Sequence, residues 1–365
     1  MNIPDAIGND PRYQLMAACY LKDVMSGNNY YGRPEVRSDT IRGYAEAVNV
    51  LFERQFIPPP IQFSDPANPG AILITNLAAE EVIAKQRAPL NNAIMNALLV
   101  MADNTHRNSP ENAVANIFAI GRYLGFRVSE YAQTTQNKVD YHVYPSGHKE
   151  LKAFRLTDWI FLAPNGDRVN IAGLTRTPLQ SIYEQIAWLK VTWRIQKNRR
   201  NGQSVKLCKD AAHERVCPVM HALIIVLRKF RIDRDNLDMP LCMCSKTEVS
   251  PAFYLTGKKV AEVLQRAVKK VQPGISKSDL SRYTAHSLRV WAAVLLDQQG
   301  KSPTFIKSRL RWLGDSYQLY LRDTPRMNQL HRDALSADSQ EIIDLVSNDN
   351  PGVEDTTLDY QDDMD

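Results

Sequence analysis

Three residue types in one stretch are suited to phosphate chemistry. His286 and Arg289 stand three apart, so on a helix they share a face. An arginine there can grip a phosphate with its rigid fork of donors, and a histidine can donate or shuttle a proton. Neither is suited to attack phosphorus and hold a durable link, but a tyrosine is. Tyr320 follows, eight residues after Trp312. Each also has a structural reading: His286 as a satisfied, half-buried histidine, Trp312 as core beside Leu310 and Leu313, Tyr320 as a ring packed on the preceding helix.

Positioning these residues requires helices, and the sequence predicts them. Leu288, Trp291, Ala292, Leu295 and Leu296 form an apolar face that Gly300 closes as a left-handed cap, and Ser302-Pro303 opens the next helix. Upstream, Ser109-Pro110-Glu111 starts a helix whose inner face carries Val114, Ile117, Phe118 and Gly121. Further helices are predicted at 11–25, 40–54, 76–86, after Pro89, at 178–187, from Pro218, and over 257–271. The segment 57–70 is a loop or arm. Strands are predicted at 138–144 and 153–161, with an Asn165-Gly166 turn. Leu189, Val191, Trp193 and Ile195 alternate with polar residues, Asn201-Gly202 turns the chain, and Ser204–Leu207 returns. Residues 231–252 are irregular.

The formal charge of +5 hides an asymmetry. Residues 331–365 hold eleven Asp and Glu against Arg332, which makes that segment −10 and leaves +15 on the rest. A body that basic suits nucleic acid. A mildly basic surface with an acidic solubilising tail is the plainer reading. No run approaches the ~18 apolar residues of a membrane span, and the first residues lack the form of a secretion signal. Five cysteines, an odd count, argue for free thiols in a reducing compartment. Cys217 with His221, and Cys242 with Cys244, lack the ligand spacing of structural zinc. No metal or cofactor is expected.

Read together, these residues resemble the active-site boxes of the tyrosine recombinases (the phage-integrase family). Gly125-Phe126-Arg127-Val128-Ser129-Glu130 is similar to their first box, His286, Arg289 and Gly300 to their His-x-x-Arg box, and Trp312 with Tyr320 to the end of their site. The resemblance covers roughly residues 90–325. It departs from the common bacterial form, where Leu-Gly-His stands in place of Arg311-Trp312 and the tyrosine comes nine residues on. The eight-residue spacing is similar to that of some recombinases of eukaryotic mobile elements.

The resemblance implies an α+β fold, mainly α with a small antiparallel sheet. It implies a helical DNA-binding domain at 1–86 and a catalytic domain at 87–330, ahead of a partly disordered acidic tail at 331–365. It implies a site-specific recombinase that cuts and rejoins DNA through a 3′-phosphotyrosine. Tyr320 is then the nucleophile, with Tyr317 in reserve, and Arg127 and Arg289 hold the phosphate. His286 binds the phosphate or takes the tyrosine proton, and Trp312 gives an N–H. Lys197 in the hairpin protonates the leaving oxygen, with Lys190 and Lys206 as alternatives. Glu130 orients Arg127 or His286. Lys85, Arg87, Arg194, Arg199 and Arg200 are candidate DNA phosphate contacts. The expected partners are double-stranded DNA and three further copies in a tetramer, with no membrane. The expected location is the nucleus, or the nucleoid in a bacterium. A type IB topoisomerase-like enzyme and an inactive DNA binder are the competing readings.

Overall fold

A computed structural model of the chain describes residues 10–25, 38–80, 86–196, 201–321, 324, 326–330, 332 and 333. The chain divides into two compact units, Met1–Lys85 and Gln86–Asp365. The architecture is α+β: helices form most of it, with three small antiparallel sheets.

The first unit contains α1 (Pro11–Met25), α2 (Ser38–Glu53) and α3 (Pro69–Glu80). Leu21, Val24, Ile41, Ala45, Ile61 and Ile74 make its core. Here α3 begins well before the predicted 76. The Asn68 side chain accepts from the N–H groups of Gly70 and Ala71, and Pro69 takes the first helical position. Together they start a helix inside what reads as a proline-rich loop.

The second unit is built around α5 (Pro110–Leu124), which packs against α4 (Asn92–Asp103), α8 (Pro218–Ile232), α9 (Gly257–Val271) and α11 (Ser287–Gln298). Ten of its residues are buried, which is the signature of a helix enclosed on all sides. Ser109 caps its start, accepting from the Asn112 N–H at 3.0 Å. Gly125 ends it at φ +55°, with its N–H donating to Gly121 at 2.7 Å. The turn that follows, α6 (Val128–Tyr131), carries Glu130.

Gly121 lets α11 approach. A Cβ there would fall within van der Waals radii of the Leu288 side chain, and Leu288 lies between His286 and Arg289. Gly121→Ala is expected to cost ~1–3 kcal/mol through overpacking. A shift of the urea midpoint checks it, and an unchanged midpoint would mean that Leu288 moves aside freely.

Strands β1 (Tyr141–Val143) and β2 (Lys149–Leu151) pair as a hairpin. A three-stranded sheet runs β3–β4–β5, from β3 (Trp159–Leu162), β4 (Trp188–Trp193) and β5 (Gln203–Cys208). The short helix α7 (Leu179–Glu184) precedes β4. The strand predicted at 153–161 is interrupted, because Asp158 caps a 3₁₀ turn at Leu156–Asp158 through the Arg155 N–H. The segment expected to be irregular at 231–252 contains β6 (Met243–Ser245), paired with β7 (Ala252–Tyr254). After α10 (Lys277–Leu280) and α11, Ser302 caps α12 (Pro303–Leu310), and a 3₁₀ turn at Ser316–Tyr320 follows. No described helix is long and apolar enough to cross a membrane.

Candidate active site

The site forms where the C-terminal end of α5, the start of α11 and the end of α12 meet. Arg289 is 97% buried and extends from the first turn of α11 to two backbone carbonyls. Its Nη1 donates to Gly125 O at 2.5 Å and its Nη2 to Leu310 O at 3.1 Å. The guanidinium lies 4.3 Å from the centre of the Trp312 ring, so this indole clamps the arginine as well as filling space. Tyr131 donates to the carbonyl of Ala285 at 3.0 Å, which ties the α6 turn to the residue before His286.

Arg127 extends from the N-terminal end of α6. Its backbone N–H donates to Glu130 Oε2 at 3.0 Å, and its Nη1 lies 3.3 Å from Oε1. The stronger partner of Glu130 is Arg311, for which the sequence proposed no role. It approaches both carboxylate oxygens, at 3.0 and 3.1 Å. It also stacks 3.8 Å over Trp193 of β4 and contacts Gln196, the neighbour of Lys197, at 3.5 Å. Glu130 therefore contacts Arg127 and Arg311, and no hydrogen bond joins it to His286 among the described residues. Burial alone would raise the Glu130 pKa, but Arg311, Arg289 and Arg127 reverse that and hold it low. Three guanidinium groups against one carboxylate leave a net charge of +2. Burial, Arg127 and Arg311 all push against the charge of Arg289, which keeps it nonetheless. The cluster is primed for an anion.

Arg311 holds this position with a left-handed backbone, φ 61°. That conformation costs a non-glycine residue about 1–2 kcal/mol. Losing the buried pair costs about 3–5 kcal/mol, so the side chain outweighs the strain. Arg311→Gly should destabilise the protein, and Arg311→Ala should do so by about 1 kcal/mol more, since alanine keeps the strain without the pair. Urea unfolding of both variants checks the order. Equal midpoints would mean that the turn relaxes.

His286 and Tyr320 meet at the edge of the cluster. Nε2 and the phenol oxygen are 3.0 Å apart, and both residues are half-buried. Burial lowers the His286 pKa below 6.5, helped by Arg289 and Arg87. Burial raises that of Tyr320 above 10.0, with Arg289 opposing. At neutral pH the imidazole is uncharged and can accept the phenol hydrogen bond. Tyr317, the reserve nucleophile, is only 1% exposed and packs with Val290, Leu310 and Leu321, its ring 5.7 Å from that of Trp312.

The predicted phosphate contacts fall into three groups. Arg87 is exposed and shares a cavity of about 460 Å³ with Tyr320 and Arg282. Arg194 is corrected: its guanidinium is engaged within the protein, by Asp158 at 2.7 Å, by Glu150, and by the carbonyls of Leu151 and Ala153. A lysine- and arginine-rich turn reads as exposed, but these acidic partners lie 36 and 44 residues away. Lys85, Lys197, Arg199 and Arg200 lie outside the described residues, as does nearly all of the acidic segment. Lys190 and Lys206 pair across β4 and β5. Alternation directs Lys190 to the sheet face opposite Trp193, and so away from Arg311. Among the described residues, no group of three or more His, Cys, Asp or Glu could hold a metal. Burial pushes the Cys242 and Cys244 thiols up to about 12.

No protein-family model matches the sequence, and no curated protein matches it. Among solved structures, the chain is similar to the Tn1549 transposon integrase in complex with transposon right-end DNA. The identity is 11%, over 89% of this chain and 85% of that one, with a TM-score of 0.44. It is also similar to a lambda integrase dimer bound to a core site, at 13% identity, 86% and 81% coverage and a TM-score of 0.40. For the XerH recombinase bound to its difH substrate, the values are 11%, 89% and 77%, and 0.39. At such identities the chemistry has to be read from this chain's own residues.

Proposed function

We propose that the protein is a tyrosine recombinase, which cuts and rejoins DNA strands through a 3′-phosphotyrosine at Tyr320. The observation that carries this is the Tyr320 hydroxyl on His286 Nε2 at 3.0 Å, beside a three-arginine cluster with a net positive charge. The phenol oxygen attacks the scissile phosphorus, forming an O–P bond as the bond to the 5′-oxygen breaks. Arg127 and Arg289 stabilise the charge that gathers on the non-bridging oxygens. The reverse attack by a 5′-hydroxyl restores the phosphodiester, so no external energy source is needed.

His286 receives the tyrosine proton. The ordinary pKa values of the two groups differ by about 3.5, so transfer in the resting site costs about 5 kcal/mol. Burial widens that gap, so the proton moves as the O–P bond forms. Lys197 remains the proposed donor to the leaving 5′-oxygen, because an ammonium can be poised as an acid and a guanidinium cannot. Pairing of two DNA sites by a tetramer belongs to the same proposal and separates it from a topoisomerase, which works alone.

The test is covalent trapping. Protein incubated with nicked or branched DNA, including DNA flanking its own gene, is denatured and examined for a DNA-linked species. An adduct supports the proposal, and firm binding to cognate DNA with no adduct sinks it. The pH profile adds a second check. The His286 pKa is lowered, so second-order cleavage should hold at neutral pH and fall as pH drops below 6.5 through the His286 value. A rate that rises on acidification would remove His286 as the proton acceptor.

A further inference from the structure

A second cationic site lies at the other end of α5. From Asn112 to Gly125 is thirteen residues, which places it about 20 Å from the cluster described above. Here a cavity of about 900 Å³ is lined by Arg107, Arg176, Arg231 and Arg234, with Leu227 and Phe230 on its apolar wall. Among the described residues, none of these four arginines makes an ion pair with a carboxylate. Of the two acids that flank Arg234, Asp233 is held by Lys229 at 2.7 Å and by Asn236, and Asp235 makes no ion pair among the described residues.

Behind the wall lies a fifth arginine. Arg228 is 1% exposed, with Nε donating to Arg107 O at 3.0 Å and Nη2 donating to Asn112 Oδ1. A buried cation without a counter-ion is costly unless an anion stands near. Arg231 is exposed, and its partial burial and the charge of Arg107 both push its pKa down.

A concave site of this volume is in the range of small-molecule pockets, roughly 300–1,000 Å³, whereas a duplex backbone is convex. Four forks exceed what one phosphate can occupy, since each guanidinium can bind two oxygens. The apolar wall offers a face to a flat ring. We infer that this cavity binds a small polyphosphorylated molecule with a flat apolar body, of the nucleoside triphosphate class. The inference is independent of the strand-cleavage proposal, because it uses none of that site's residues.

The test is calorimetric titration of the full chain with ATP, tripolyphosphate and adenosine at fixed salt. ATP should bind saturably, tripolyphosphate several-fold more weakly, and adenosine not at all. The double variant R176A/R234A should weaken ATP binding by at least about tenfold, while R127A leaves it unchanged. Both replaced side chains line an open cavity and hold no ion pair. If that variant nonetheless misfolds, R176K/R234K keeps the charge, loses the forks and should still weaken binding. No saturable ATP binding would overturn the inference, as would equal binding by either double variant or equal affinity for tripolyphosphate. Displacement of ATP by duplex DNA that itself depends on Arg176 and Arg234 would overturn it too, assigning the surface to DNA.

Discussion

Tyr320→Phe should abolish the covalent DNA adduct, whereas Tyr317→Phe should leave it intact. The first change removes only the phenol oxygen, which lies 3.0 Å from His286 Nε2. Without a nucleophile there is no covalent route, and a drop of roughly 10,000-fold or more is the scale seen when a nucleophile is deleted. The ring keeps its packing beside His286 and Trp312, at 5.8 and 5.9 Å between centroids, so folding and DNA binding should persist. Tyr317 is buried in the small core behind the site, and its hydroxyl is remote from solvent and so from a phosphate. Its contribution is volume. Tyr317→Ala should cost about 3–5 kcal/mol as a cavity, with Tyr317→Phe close to neutral. An adduct that survives Tyr320→Phe and disappears in Tyr317→Phe would reverse the assignment and require a rearranged turn at Ser316–Tyr320.

Glu130→Gln should be the most damaging change to the site that keeps side-chain shape. Glu130 is the carboxylate shared by Arg127 and Arg311, and its charge also opposes those of both on Arg289. Neutralising it leaves buried guanidinium groups without a counter-charge, and breaking one side of such a pair costs about 3–5 kcal/mol. The lost stability should appear as a lower urea midpoint, and strand cleavage should fall with it as Arg127 and Arg311 lose their anchor. A compensating replacement distinguishes this from generic damage. In Glu130→Gln with Arg311→Met, no unpaired Arg311 charge remains, so the double variant should lose clearly less than the sum of the two single ones. Additive losses would mean that the pair is not coupled. The pH dependence follows from the sign of the shift. The folded pKa of Glu130 lies below its unfolded 4.5, so its stabilisation is complete above that pH and fades as pH falls through the folded value. Glu130→Gln should flatten that part of the acid unfolding curve.

The local features of the site were legible in the sequence because their causes are local. Ser109-Pro110 starts α5, Gly125 ends it in a left-handed cap, and Ser302-Pro303 starts α12. The alternation in β4 follows the pleat, with Leu189, Val191 and Trp193 buried. Arg127, His286, Arg289, Trp312 and Tyr320 were singled out together by the resemblance of their boxes; in the second unit Arg127 lies on Glu130, Trp312 on Arg289 and His286 on the Tyr320 phenol. Cap misreadings had local causes too: Asn68-Pro69-Gly70 reads as a loop until the Asn68 side chain is seen capping α3.

What only the tertiary structure decided depends on partners far apart in the chain. Nothing near Arg311 signals that its carboxylate is Glu130, 181 residues earlier, or that Trp193 lies beneath its guanidinium. One signal was present: Arg311 directly follows the last residue of α12, where a helix commonly ends in a left-handed glycine, so a non-glycine there needs a reason to stay. The choice between Tyr320 and Tyr317 depended on which phenol meets His286 and which is buried, a matter of a few ångströms. Arg194 reads as a DNA contact by composition, and becomes an internal ion pair only when Asp158 and Glu150 fold against it. Spacing along a chain determines which residues share a face. Which charge meets which is decided by packing, because an ion pair forms between surfaces that the core brings together.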